Sequence, residues 1–212
     1  MTISYPLDLL ANFPGWCTEF DLLWRQEQSR QANGVTRVKD FGAPLWRGTF
    51  QSRSMRPNEL DEWRARLRAL ENGVQQFRGV PLSRCYPIAY PNGSWPTGSA
   101  FNGAAALASI GADRKSIGVK TLPAGFQLRV GDVIQIGSRN LHSVEEAATA
   151  NAGGTTGTFE IRPHLWPETA VGDVVSVKRP FCLMTIVPGS ITSTADPQTG
   201  RGSVSFQAVE SR

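Results

Sequence analysis

The chain has 212 residues, enough for one large domain or two modest ones, and its 40% apolar and 19% charged residues are those of an ordinary globular protein. A formal net charge of +4 and a pI near 9.2 would permit weak attraction to nucleic acid, but the excess is scattered and no nucleic-acid motif accompanies it, so a solvated surface is expected. Three widely spaced cysteines (Cys17, Cys85, Cys182) exclude a readable disulfide framework or C-x-x-C motif, and no run of about 18 apolar residues marks a membrane span.

The amino-terminal stretch lacks a basic n-region and a sustained apolar core, which predicts a soluble protein made in a reducing cytoplasm. From Trp16 to Arg30 the pattern is partly alternating, and Asn33-Gly34 then supplies a hairpin turn into a second extended run, "LWRGTFQSRSM". Together these predict a long antiparallel hairpin. The segment "RPNELDEWRARLRALENG" predicts the helix, with Asn58 as N-cap, acidic residues in the first turn and Gly73 as the stop. Leu60, Trp63, Leu67 and Leu70 fall on one face of it, with Arg64, Arg66 and Arg68 largely outside that face.

A short strand with Pro-limited ends is expected in "GVQQFRGVPLSRCYPIAY". Next comes a Gly/Ala/Ser-rich excursion, "PNGSWPTGSAFNGAAALASIGADRKSIG", with no clear period. The phrase "VGDVIQIG" and its echo "VGDVVSV" each read as a Gly-Asp turn launching a half-buried strand. In the first copy Ile134 and Ile136 share one face opposite Gln135; in the second Val175 and Val177 share one face opposite Ser176. Between them, strands ending near Val144 and running from Thr158 to Arg162 complete a small β-barrel or sandwich. The carboxyl-terminal segment predicts a further hairpin turning at Asp196-Pro197 and Gly200, with Val204, Phe206 and Ala208 alternating, and its natural partner is the amino-terminal sheet.

Chemistry is sparse. His142 and His164 are 22 positions apart, and neither the cysteines nor "NAGGTTG" sits in a nucleophile, metal or phosphate-loop pattern. No catalytic residue, cofactor or metal site is therefore expected, and Glu145-Glu146 reads as a solvated strand end. Trp24, Trp46 and Trp63 are expected in the core, whereas Trp95, in the excursion, suits packing against another subunit or a ligand.

The succession of an extended hairpin, "FGAPLWRGTFQSRSM", "EWRARLRALENG" and "VQQFRG" resembles the early part of distal tail and related tail-tip proteins of long-tailed, siphovirus-like bacteriophages. "LRVGDVIQIGSRNLHSV", "GTFEIRPHLW", "VGDVVSVKRPFCLM" and "SVSFQAVES" resemble their second half. The resemblance implies a tail-tube-like fold; because the terminal strands need each other while the Gly-Asp pair forms a separate unit, a mainly β sandwich with one helix is expected from residues 1–90 completed by 179–212, with an inserted small barrel or sandwich at 91–178. It implies a structural virion protein, assembled in the host cytoplasm, that forms a ring at the distal end of the tail tube. Its partners would be other copies of itself, the tail-tube protein and hub or tip proteins, with DNA passing through the lumen without specific binding. Trp95, Phe101, Arg64 and Arg68 are the candidate subunit-interface residues. Two other classes stay open: a polysaccharide-binding module, and a hydrolase using His142 or His164.

Overall fold

The computed structural model describes residues 3–96 and 100–212. Strands β1 (Gly15–Leu23), β2 (Gln26–Arg30), β3 (Thr36–Asp40) and β4 (Leu45–Ser52) precede helix α1 (Pro57–Arg68) and strand β5 (Phe77–Gly79). The middle of the chain forms β6 (Ala104–Ile110), β7 (Ser116–Lys120), β8 (Gln127–Leu128), β9 (Val133–Ile136), β10 (Asn140–Val144), β11 (Ala148–Thr149), β12 (Phe159–Arg162) and β13 (Val174–Ser176). Strands β14 (Cys182–Ile186), β15 (Thr192–Ala195) and β16 (Gly202–Glu210) follow. The protein is mainly β with one α-helix and a small closed barrel, the class expected from its turns and alternation.

One antiparallel sheet runs β1-β4-β16-β14-β5, with β15 beside β16 on the side away from β4. The carboxyl-terminal hairpin thus joins the amino-terminal sheet, as its apolar alternation requires: Phe206 lies opposite Phe50 and Ala208 opposite Gly48. The two phenylalanine rings stack at 5.1 Å, and Phe13 and Phe77 meet Phe206 edge-on at 5.9 and 6.1 Å. Helix α1 lays Leu60, Trp63 and Leu67 on this cluster.

The helix begins differently from expectation. Arg56 is the N-cap and gives no side-chain cap; Pro57 holds the first helical position, where its fixed φ and missing N–H cost nothing, and this moves Asn58 inside the helix. Glu71 and Asn72 turn left-handed at φ 50° and 52°, ending the helical run just before Gly73. Gly73 itself adopts φ 105°, and a Cβ there would strike the Ile186 carbonyl oxygen.

The barrel closes in the order β10-β12-β7-β6-β13-β9. The excursion is therefore not all irregular: β6 and β7 form two of its walls, pairing Leu107 with Val119 and Ile110 with Ile117 across a bulge. Small alanines at 104, 105, 106 and 108 concealed the period, because only Leu107 among the first five residues announces the inward face. Residues 97–99 of that stretch lie outside the described residues.

The echoed phrase proves to be one device used twice. Gly131 and Gly172 take φ 88° and 97°, and the following aspartate closes each turn by accepting a backbone N–H, Arg129 to Asp132 at 2.7 Å and Ala170 to Asp173 at 2.9 Å. The launched strands are neighbours in the barrel wall, Val175 opposite Ile136. Only the second is half-buried; β9 is buried on both faces, because Gln135 faces the sheet and accepts the Phe181 N–H at 3.1 Å.

Truncating Phe50 to alanine removes the ring that β1, β16 and β5 all pack upon. Urea denaturation should show a loss of about 3–5 kcal/mol.

Candidate assembly interface

Beyond Leu23 and Leu45 the long hairpin leaves the sheet. Strands β1 and β4 pair from Gly15↔Ser52 to Leu23↔Leu45, and β2 and β3 resume pairing from Gln26↔Asp40 to Arg30↔Thr36. The predicted hairpin is thus broken at its middle into a sheet-borne half and a projecting arm. At the tip, Gln31 donates to the Val35 carbonyl at 2.8 Å and Asn33 accepts the Val35 N–H, so Asn33-Gly34 sits in a five-residue loop. Every residue of β2 and β3 is exposed.

Sequence explains the departure. Gln26, Gln28, Arg30, Thr36, Val38 and Asp40 share one face of the arm, and Glu27, Ser29, Arg37 and Lys39 the other, so neither face has enough apolar surface to be drawn onto the core. Trp24, expected in the core, lies at the break and is 52% exposed, whereas Trp46 and Trp63 are buried as expected. Phe41 is 48% exposed at the same root, with the Lys39 ammonium 5.3 Å from its ring. Strand β1 is also the sheet's edge, with no described strand pairing its outer side.

The four residues singled out for subunit contact fall on two different bodies. On α1, Arg64 pairs with Asp61 at 3.0 Å and reaches Ser193 Oγ at 2.7 Å, and Arg68 borders a shallow depression with Leu67 and Ile191. Trp95 and Phe101 instead pack on the barrel core. Their rings meet edge-on at 5.2 Å, and both touch Phe126, which Tyr90 covers at 4.6 Å. Both are half-buried within their own chain.

The joint between sheet and barrel was not legible in sequence. Val133 and Leu141 of the barrel sit in the sheet's apolar core, and Trp46 Nε1 donates to the Leu141 carbonyl at 2.8 Å. Glu210, buried, accepts the Trp46 backbone N–H at 3.1 Å and pairs with Arg212 at 2.7 Å. Arg212 in turn lies 3.3 Å from the centre of the Trp166 ring and donates to Asn140. Burial pushes the Glu210 carboxyl up, against the pull of the Trp46 N–H and of Arg212.

Beside this joint opens a cleft of about 510 Å³. Pro6, Phe181 and Leu183 give it apolar surface, Arg78 and Arg139 positive charge, and Glu168 and Asp173 negative charge. Thr169, also lining it, has a buried hydroxyl without a partner among the described residues.

His142 is fully buried, Nδ1 lies 2.8 Å from the Pro163 carbonyl, and desolvation lowers its pKa to about 4, with nearby Arg212 pushing the same way. His164 is exposed in the loop after β12. The three cysteines are free thiols; burial raises the Cys17 pKa to about 11 and that of Cys182 well above its ordinary value. Among the described residues no three His, Cys, Asp or Glu are grouped to hold a metal ion, and no helix is long and apolar enough to cross a membrane. A scan against protein-family models finds no match to this chain, and a search of curated proteins likewise finds none.

Two consequences are measurable. The unfolded chain binds a proton at His142 near pH 6.5 and the folded chain only near pH 4, so folding stability falls as pH drops through that window and levels off below it. The contribution is about 3 kcal/mol, read as the difference in urea stability between neutral pH and pH 4, and His142→Gln should flatten it. Glu210→Ala strands both the Trp46 N–H and Arg212 and should cost about 3–5 kcal/mol, while Arg64→Ala, breaking an exposed pair, should cost less than about 1 kcal/mol.

Proposed function

We propose that the chain is a structural virion protein that forms a ring at the distal end of a phage tail tube and joins the tube to the hub or tip. The observation that carries this reading is the arm. A lone two-stranded ribbon gains little stability in water, yet here ten strand residues, all exposed, project from a well-packed sheet. Such an element is economical when a neighbouring molecule covers it. The unpaired edge of β1 supports the same reading, because an open edge offers hydrogen bonds to another chain.

Within such a ring each copy presents one surface and receives another, so a modest contact repeated around a closed circle yields a stable connector. The tail-tube protein would abut one side of the ring and hub or tip proteins the other. DNA would pass through the lumen without sequence reading. Work of this kind is mechanical and needs no reactive side chain.

Replacing residues 26–40 with a short Asn-Gly turn should leave the melting temperature unchanged, since no core residue is lost. Electron micrographs of tails assembled with that variant should lack the distal ring. Tail tips whose images place this chain as a single copy, or show it absent from the particle, would refute the assignment.

A further inference from the structure

We infer that the arm of one copy seats in the sheet–barrel cleft of the next, an inference that rests on the ring reading and names its contact. The complementarity is chemical. One face of the arm carries Val38 at its middle, opposite Gln28, with Asp40 towards the root and Arg30 towards the tip. The cleft offers groups of each kind: apolar Phe181 and Leu183, cationic Arg78 and Arg139, and anionic Glu168 and Asp173.

Val38 is 57% exposed, and Arg30 and Arg139 form no ion pair among the described residues. A volume of about 510 Å³ takes a few side chains rather than a whole strand, which suits the edge or face of a narrow ribbon. Seating Val38 removes an exposed apolar side chain from water, and Arg30 and Asp40 meet groups of opposite charge in the cleft. Because arm and cleft are different surfaces of one polypeptide, the contact is heterologous and propagates from copy to copy until it closes.

The geometry also accounts for the rigid joint beside the cleft. One wall belongs to the barrel and the other to the sheet, so the receptor's shape depends on the joint, where Trp46, Glu210 and Arg212 act together with buried Val133 and Leu141. An arm arriving there would bridge both bodies of its neighbour.

A charge-exchange experiment on the full chain decides the matter. Arg30→Glu reverses the arm and Glu168→Arg reverses the cleft; each variant alone should weaken self-association in sedimentation velocity about tenfold or more, a like-charge penalty of ordinary size. Mixing the two should restore association to near the wild-type level, because reversed arm meets reversed cleft and unaltered arm meets unaltered cleft. Asp40→Lys with Arg139→Glu provides an independent second pair, and circular dichroism confirms that each variant stays folded. Either variant associating alone as the wild type does, a mixture that fails to recover, or a wild type that stays monomeric at rising concentration would each overturn the inference. The ring itself is judged separately, by imaging tail tips, so it can stand even if this contact falls.

Discussion

Everything in the sheet depends on β4 finding β16. These strands lie more than 150 positions apart, a separation reflected in the Val204 N–H bond to Ser52 Oγ, and closing so long a loop is entropically unfavourable. The barrel removes most of that cost. Barrel closure sets Ala104 beside Ser176, and Cys85 and Arg179, which flank the barrel in sequence, are joined by a 2.7 Å backbone hydrogen bond. The chain entering the barrel then lies beside the chain leaving it. For the outer strands the intervening residues act as a short connection, and Phe206 can reach Phe50 without a search through the whole loop.

The same topology explains which elements could be read from sequence. Val204, Phe206 and Ala208 show a period of two because one face is buried and the other carries Ser203, Ser205 and Gln207. Leu60, Trp63 and Leu67 show the helical period for the same reason. Period fails where both faces are covered or where the inward residues are small. Gln135 reads as a solvent residue yet faces the sheet, and Ala105 fills an inward position in β6 without the bulk that would reveal it. Trp24 misled in the opposite direction, since a large aromatic residue suggests a core position that its place beyond the end of β1 denies it.

The candidate interface was less legible than the fold, and the reason is physical. A cleft between two bodies is made by residues such as Arg78, Arg139, Glu168 and Asp173, each of which in sequence is one more charged residue in a turn or strand. Only tertiary packing gathers them. Likewise the closing "ESR" looks like a solvated tail, yet Glu210 is 5% exposed and Arg212 reaches Asn140, 72 positions back. Sequence did hold a signal for the arm, because a hairpin without an apolar face cannot lie on a core, and "QEQSR" facing "TRVKD" is such a hairpin.

Stability is therefore distributed unevenly. Phenylalanine stacking holds the sheet and a closed wall holds the barrel, so both resist local opening, while the arm has only its cross-strand bonds and turn. In the proposed ring a rigid body would set where the cleft lies, and a compliant ribbon would accommodate small differences in how neighbours approach. Orientation between the two depends on the joint. Val133 and Leu141 anchor the barrel in the sheet's apolar core, and Gln135 accepts the Phe181 N–H and Asp132 the Ile88 N–H. Arg212 adds a polar clasp across Glu210, Trp166 and Asn140, so apolar burial and directional bonds together fix a single geometry.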